Sequence, residues 1–203
     1  MNEKTYHAYI LLTYTGSMLS TIIRKASDCP FSHISIGLDE SHQTFYSFGR
    51  IFYSNPLFGG FVEEDVKDGV YQHFQKAQFA LYELEITKKQ YNNLQRQIRH
   101  FDRNRKLYRF NLLGMAFAKV GVALTRQNAY FCSQFAATVF RRAGIHDFER
   151  PEGLIHPMDF LEIDGIKLIG QGRLSDFRLE RWGVGRRRRL REIPVSLVRR
   201  VFN

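Results

Sequence analysis

A chain of 203 residues with 44% hydrophobic content is long enough to bury its own core as one domain. Two cysteines, Cys29 and Cys132, are too few for a disulfide framework or a Cys-rich zinc site, and reduced thiols in a cytoplasmic protein are expected. The net charge of +10 is uneven: residues 181–203 hold eight Arg and one Glu, +7 of the total, so a domain over residues 1–180 is expected to be followed by a basic tail.

The segment from Tyr6 to Thr13 is apolar, β-rich and poorly alternating, which predicts a buried strand. Its neighbourhood lacks the long apolar run and small-residue cleavage site of a signal peptide. No window reaches the roughly eighteen apolar residues of a membrane span. The expected location is therefore cytoplasmic, with peripheral membrane contact through the tail. Gly16-Ser17 opens a short helical pattern through Ala26, which Asp28-Cys29-Pro30 ends. His33 to Leu38 and Thr44 to Phe48 are strand-like runs separated by the polar turn Asp39 to Gln43, the pattern of an antiparallel hairpin. Gly49 to Val62 contains Asn55-Pro56 and Gly59-Gly60 and is expected to be a long aromatic-rich loop, and Gln78 to Ile86 a strand.

Thr87-Lys88-Lys89-Gln90 has the form of a capping box, and Tyr91, Leu94, Ile98 and Phe101 follow at helical spacing, predicting a helix from Lys88 to about Asn104. Asn111 to Leu124 is a more apolar helical segment and is expected to be buried. Cys132 to Ala143 carries Phe135, Ala136, Val139, Phe140 and Ala143 on one face, with Arg141 and Arg142 in the last turn and Gly144 just beyond. Pro157 suits the first turn of a short helix, and Ile166 to Gly170 with Leu174 to Leu179 predict late strands before the tail.

Cys132 is the residue on which chemistry is expected to turn. A thiol at a helix start faces unpaired backbone N–H groups and the positive end of the helix dipole, which favour a thiolate and can hold a developing oxyanion. A lone helical cysteine is ordinarily an inert core residue, so the expectation rests on pairing Tyr130-Phe131-Cys132-Ser133-Gln134-Phe135 with the upstream strand Ser32-His33-Ile34-Ser35-Ile36-Gly37. Together these segments resemble the circularly permuted papain-like cysteine hydrolases of the NlpC type, in particular their YiiX-like bacterial branch. There a strand bearing S-H-x-S/G precedes, by a long interval, a helix opening with C-S. The resemblance runs from about Tyr6 to Phe160 and includes Asn111-Leu112-Leu113-Gly114 and Pro157-Met158-Asp159.

The resemblance implies an α+β fold in which an antiparallel sheet carrying His33 packs on the helix that begins at Cys132. It also implies Cys132 as nucleophile, His33 as base, and a third polar residue on the strand paired with the His33 strand. Relatives often have an acid there; the corresponding stretch Thr44 to Phe48 offers only Ser47 as a well-aligned polar group, so Ser47 is the expected orienting residue. The implied reaction is acyl transfer to Cys132 followed by hydrolysis of an amide or ester, with no cofactor and no metal. Cys29-x-x-x-His33 supplies two metal-ligand types, but no fourth ligand is evident beside Cys132. The other histidines, His7, His42, His73, His100, His146 and His156, fall at a chain end, in turns or on helix surfaces and are expected to be solvated.

Phe45, Tyr46, Phe48, Ile51, Phe52, Tyr53, Leu57, Phe58 and Phe61 are either core or one wall of a cleft, and as a cleft wall they favour a substrate with an apolar acyl, aromatic or peptide-derived group. Two other functions compete. Lecithin-retinol acyltransferase-like proteins move lipid acyl groups, but their N-C-E-H-F motif is replaced here by Phe131-Cys132-Ser133-Gln134-Phe135. A non-catalytic basic binding module would use the Arg tail on an anionic membrane or polymer; the tail has only Trp182 and Phe202 as stacking residues, too few for a nucleic-acid platform. Because Cys29 precedes Pro30 rather than opening a helix, Cys29→Ser should retain turnover within about threefold of wild type. A loss matching that of Cys132→Ala in the same assay would contradict this assignment.

Overall fold

In the computed structural model, residues 5–16, 21, 30–52, 55–66, 74, 77–118 and 120–177 are described. Strand β1, Tyr6–Tyr14, is buried without interruption from Ala8 to Thr13. Both of its faces are covered, which is why its sequence does not alternate. Ala8, Ile10 and Leu12 join one core with Ile34, Ile36, Phe48 and the helices; Tyr9 and Leu11 join a second with Phe45, Phe79, Leu81 and Phe177. β2 (His33–Gly37) and β3 (Thr44–Phe52) form the expected hairpin, and β5 (Gln78–Ile86) pairs along the whole of β1.

Residues 49–52 and 55–62, expected to be loop, lie in strands. β3 continues to Phe52 and β4 (Asn55–Asp65) returns antiparallel to it, with Gly49 opposite Gly60 and Phe48 opposite Phe61. The glycines that suggested a loop serve a close approach instead: a Cβ on Gly59 would lie 2.7 Å from the Gly49 carbonyl oxygen and 2.8 Å from Phe110 Cβ. Pro56 is tolerated because β4 is an edge strand. With β8, Lys167–Arg173, the sheet has six strands in the order β4-β3-β2-β1-β5-β8, every neighbour antiparallel. The fold is therefore α+β.

Helix α1, Lys88–Arg103, starts at the predicted capping box: the Gln90 N–H donates to Thr87 Oγ1 at 3.2 Å and the Thr87 N–H to Gln90 Oε1 at 2.8 Å. Leu94, Ile98 and Phe101 form its buried face. The apolar segment after Asn111 departs from expectation. Helix α2 covers only Leu112–Ala118 and lies largely at the surface, because Asn111 caps it and Gly121, at φ 75°, turns the chain out of helical geometry after it. The short strands β6 (Arg109–Phe110) and β7 (Ala129–Tyr130) pair in parallel on either side of this excursion.

Helix α3, Cys132–Ala143, has its predicted bounds and ends at Gly144 in the left-handed region. Its last turn is tied to α1 through Gln90 Nε2, which donates to the Gly144 carbonyl at 2.6 Å. A 3-10 helix over Pro157–Glu162 follows, and Leu174–Asp176 forms another 3-10 turn where a strand was expected. The expected helix from Gly16 to Ala26, Cys29, Leu179 and the 181–203 tail, with its domain boundary, lie outside the described residues. Gly59→Ala should destabilise the fold by about 1–3 kcal/mol, the usual cost of overpacking, because both obstructing groups belong to paired strands. Chemical denaturation tests this; a change below about 0.5 kcal/mol would show that β4 and β6 separate freely.

Candidate functional site

The first turn of α3 is held from three directions before any chemistry is considered. Phe131, extended at φ −110° and ψ 171°, is the N-cap, and no side chain caps the helix or places an acid in its first turn. Ser133 Oγ donates to the Ile155 carbonyl at 2.5 Å. Asn111 Nδ2 donates to Gln134 Oε1 at 3.4 Å and to the Leu124 carbonyl at 3.1 Å. One turn on, Phe135 packs among Phe48, Phe61 and Phe101 at ring separations of 5.3, 5.7 and 5.0 Å, aromatic contacts that lock the helix against β3, β4 and α1. Cys132, the first residue of this anchored helix, is buried and has a free thiol.

β2 and β3 lie against α3, and His33 is the first residue of β2, paired across from Thr13. His33 Nε2 lies 2.8 Å from Glu64 Oε1, and the second carboxylate oxygen accepts a hydrogen bond from Ser35 Oγ. Cys132 is the other side chain close enough to act on the ring. With Nε2 engaged by Glu64, Nδ1 is the nitrogen left for the sulfur. Burial alone pushes the imidazole towards its neutral form. The Glu64 charge, the nearby Cys132 and the hydrogen bond with Glu64 overcome it and raise His33 from 6.5 to about 10, so the ring is an imidazolium at neutral pH.

The structure sets His33 beside Cys132 and Glu64 and leaves Ser47 engaged elsewhere. Ser47 does not orient His33: it is fully buried and its hydroxyl donates to the Ile34 carbonyl at 2.6 Å, a contact within the sheet. The carboxylate beside His33 is that of Glu64, on β4 rather than β3. Its signal in the sequence is the run Glu63-Glu64-Asp65, just past the segment expected to be a loop, where it had no register relative to His33.

Of the remaining histidines, His42 departs from the solvated expectation. It is buried at φ 52° with its ring edge-on to Tyr9 at 4.3 Å, and burial, against the opposing pull of Asp39, lowers it to about 4. His100 Nε2 lies 3.2 Å from the Tyr108 hydroxyl, and His73 lies outside the described residues. Among the described residues no group of three His, Cys, Asp or Glu side chains is placed to hold a metal ion. Phe45, Phe48 and Phe61 are core residues, not an open cleft wall. Neither a scan of known protein families nor a search of curated proteins gives a match to the chain.

Glu64→Gln keeps the shape of the contact but removes the charge, so burial gains weight and His33 should titrate about one to three pH units lower. Histidine NMR reads this directly, and Ser47→Ala should leave the His33 titration unmoved. The stability linked to a raised histidine is present below its unfolded value of 6.5 and lost as pH rises through about 10. The stability gap between wild type and Glu64→Gln should accordingly narrow over that window; a gap that stays constant would contradict the ion pair.

Proposed function

We propose that the protein is a cysteine-dependent hydrolase of amide or ester bonds on a permuted papain-like fold, with Cys132 as nucleophile, His33 as its proton partner and Glu64 as the group that orients and charges His33. One observation carries the reading: the imidazole that reaches the Cys132 thiol is held from behind by a carboxylate at 2.8 Å, while the thiol opens a helix with no side-chain cap. Orienter and base are thus in hydrogen-bond contact, with the nucleophile beside the base. The order along the chain, His33 before Cys132, is the order of the permuted branch.

The reaction begins with the thiol proton on His33. Sγ attacks the carbonyl carbon, and the carbonyl π electrons move to oxygen, giving a tetrahedral oxyanion beside the N–H groups of the first turn of α3. Collapse expels the amine or alkoxide, which takes the proton from His33, and leaves a thioester on Cys132. Water then gives a proton to His33 as its oxygen attacks the thioester. The carboxylic acid product departs and the thiolate–imidazolium pair is restored. Glu64 stays ionised throughout and disfavours loss of the proton to solvent.

Turnover of a panel of amides and esters by wild type, Cys132→Ala, His33→Ala and Glu64→Gln tests the reading. Cys132→Ala should abolish turnover, and His33→Ala should lower it at least about a hundredfold, the lower end for a positioned acid or base. With Cys29 already replaced, iodoacetamide labelling of Cys132 should require higher pH in His33→Ala than in wild type. Identical labelling profiles would mean that His33 does not act on the thiol, and the proposal would fail.

A further inference from the structure

Among the described residues, the exposed large apolar side chains all fall between residues 107 and 122: Leu107, Leu113, Phe117, Val120 and Val122, between 44% and 72% exposed. Leu113, Phe117, Val120 and Val122 sit on α2 and the turn after it, in the excursion between β6 and β7, and Leu107 on the 3-10 turn just before β6. Elsewhere among the described residues side chains of this kind are hidden in two cores, so this cluster is a localised exception there. Its electrostatic setting is equally one-sided. From Arg103 to Arg126 the sequence has six Lys and Arg and no Asp or Glu. Arg109 and Arg126 are exposed, and their backbones both pair with Ala129, placing two cations together at the base of the excursion. Glu152, on the turn that packs against α2, is ion-paired with Arg141.

We propose that this apolar, cation-rimmed face docks onto an anionic bilayer surface, the side chains of α2 and its turns entering the headgroup region while Arg109, Arg126 and their neighbours meet lipid phosphates. The charge decides among occupants. A second copy docking through the same face would bring two acid-free basic rims together, and the basic 181–203 segment would meet the same repulsion. A nucleic acid suits the charge but gains little from four aliphatic side chains and one Phe, whereas hydrocarbon gains from all five. Apolar tips ringed by Arg and Lys are the composition of interfacial membrane contacts.

The surface stands without the hydrolase reading, but its use rests on that reading. β7 leads through Phe131 into Cys132, so docking would hold the start of α3 close to the lipid headgroups and favour acyl substrates carried at that surface.

Sedimentation of the full-length protein with vesicles of phosphatidylcholine, alone or mixed with phosphatidylglycerol, tests the proposal. Wild type should bind the anionic vesicles and release as salt rises. Leu113→Ser/Phe117→Ser/Val120→Ser should weaken that binding by about a hundredfold, and Arg109→Glu/Arg126→Glu by at least about thirtyfold, with thermal unfolding unchanged because all five positions are exposed. Cys132→Ala should bind as wild type does, so loss of turnover and loss of docking are read separately. Wild type that ignores anionic vesicles overturns the proposal, as does a triple variant that binds undiminished, which would assign binding to residues 181–203. A concentration-dependent dimer dissolved by the triple substitution, without vesicle binding, overturns it in favour of a second copy.

Discussion

Phe135 is the pivot of the molecule. It lies three residues beyond Cys132 on α3, and its ring is enclosed by Phe48 of β3, Phe61 of β4 and Phe101 of α1. A buried aromatic set of this kind contributes through area and through edge-to-face geometry, and it resists repacking because each ring already contacts several others. The consequence reaches the site directly. Once Phe135 is seated, the first turn of α3 is carried to the end of the sheet where β2 begins, and Ser133 and Gln134 complete the placement through Ile155 and Asn111. Cys132 owes its position to apolar packing and its surroundings to polar contacts.

Two histidines, His42 buried and His33 partly so, show how desolvation leads to opposite charge states. At His42 neither ring nitrogen has a hydrogen-bond partner, Asp39 acts only at a distance and His7 opposes the charge, so burial prevails and the ring is neutral. At His33 a carboxylate stands 2.8 Å away, so the charged form prevails. The difference is one contact, and it is made by a residue thirty-one positions away on a different strand. Ser35 strengthens the arrangement by donating to the carboxylate oxygen that His33 leaves unused, so both oxygens of Glu64 are engaged by β2, across the intervening β3. A neutral orienter such as Ser47 would have left the imidazolium uncompensated, a costly state for a buried ring.

Local signals were read correctly wherever the chain makes its own case within a few residues. The Thr87–Gln90 capping box, the apolar face of α1, the Phe135–Ala143 face of α3, Gly144 beyond its end and the β2–β3 turn are satisfied by neighbours close in sequence, so their pattern survives in the linear text. Cys132 and His33 stand out in the sequence for the same reason: one opens a recognisable helix and the other a recognisable strand. What the linear text could not carry was any relation that depends on strand pairing. Gly49, Pro56, Gly59 and Gly60 have the chemistry of a loop, and only the approach of Phe110 and the pairing with β3 explain why they lie in strands. Losing β4 lost the register that brings Glu64 to His33. The apolar run after Asn111 was likewise expected to be buried, because composition reports what a side chain prefers and not whether a neighbour exists to cover it. Periodicity is a property of adjacent residues and so was determined by the sequence alone; the acid behind the imidazole and the exposure of α2 were decided by tertiary structure, because both depend on which distant segments the folded chain brings into contact.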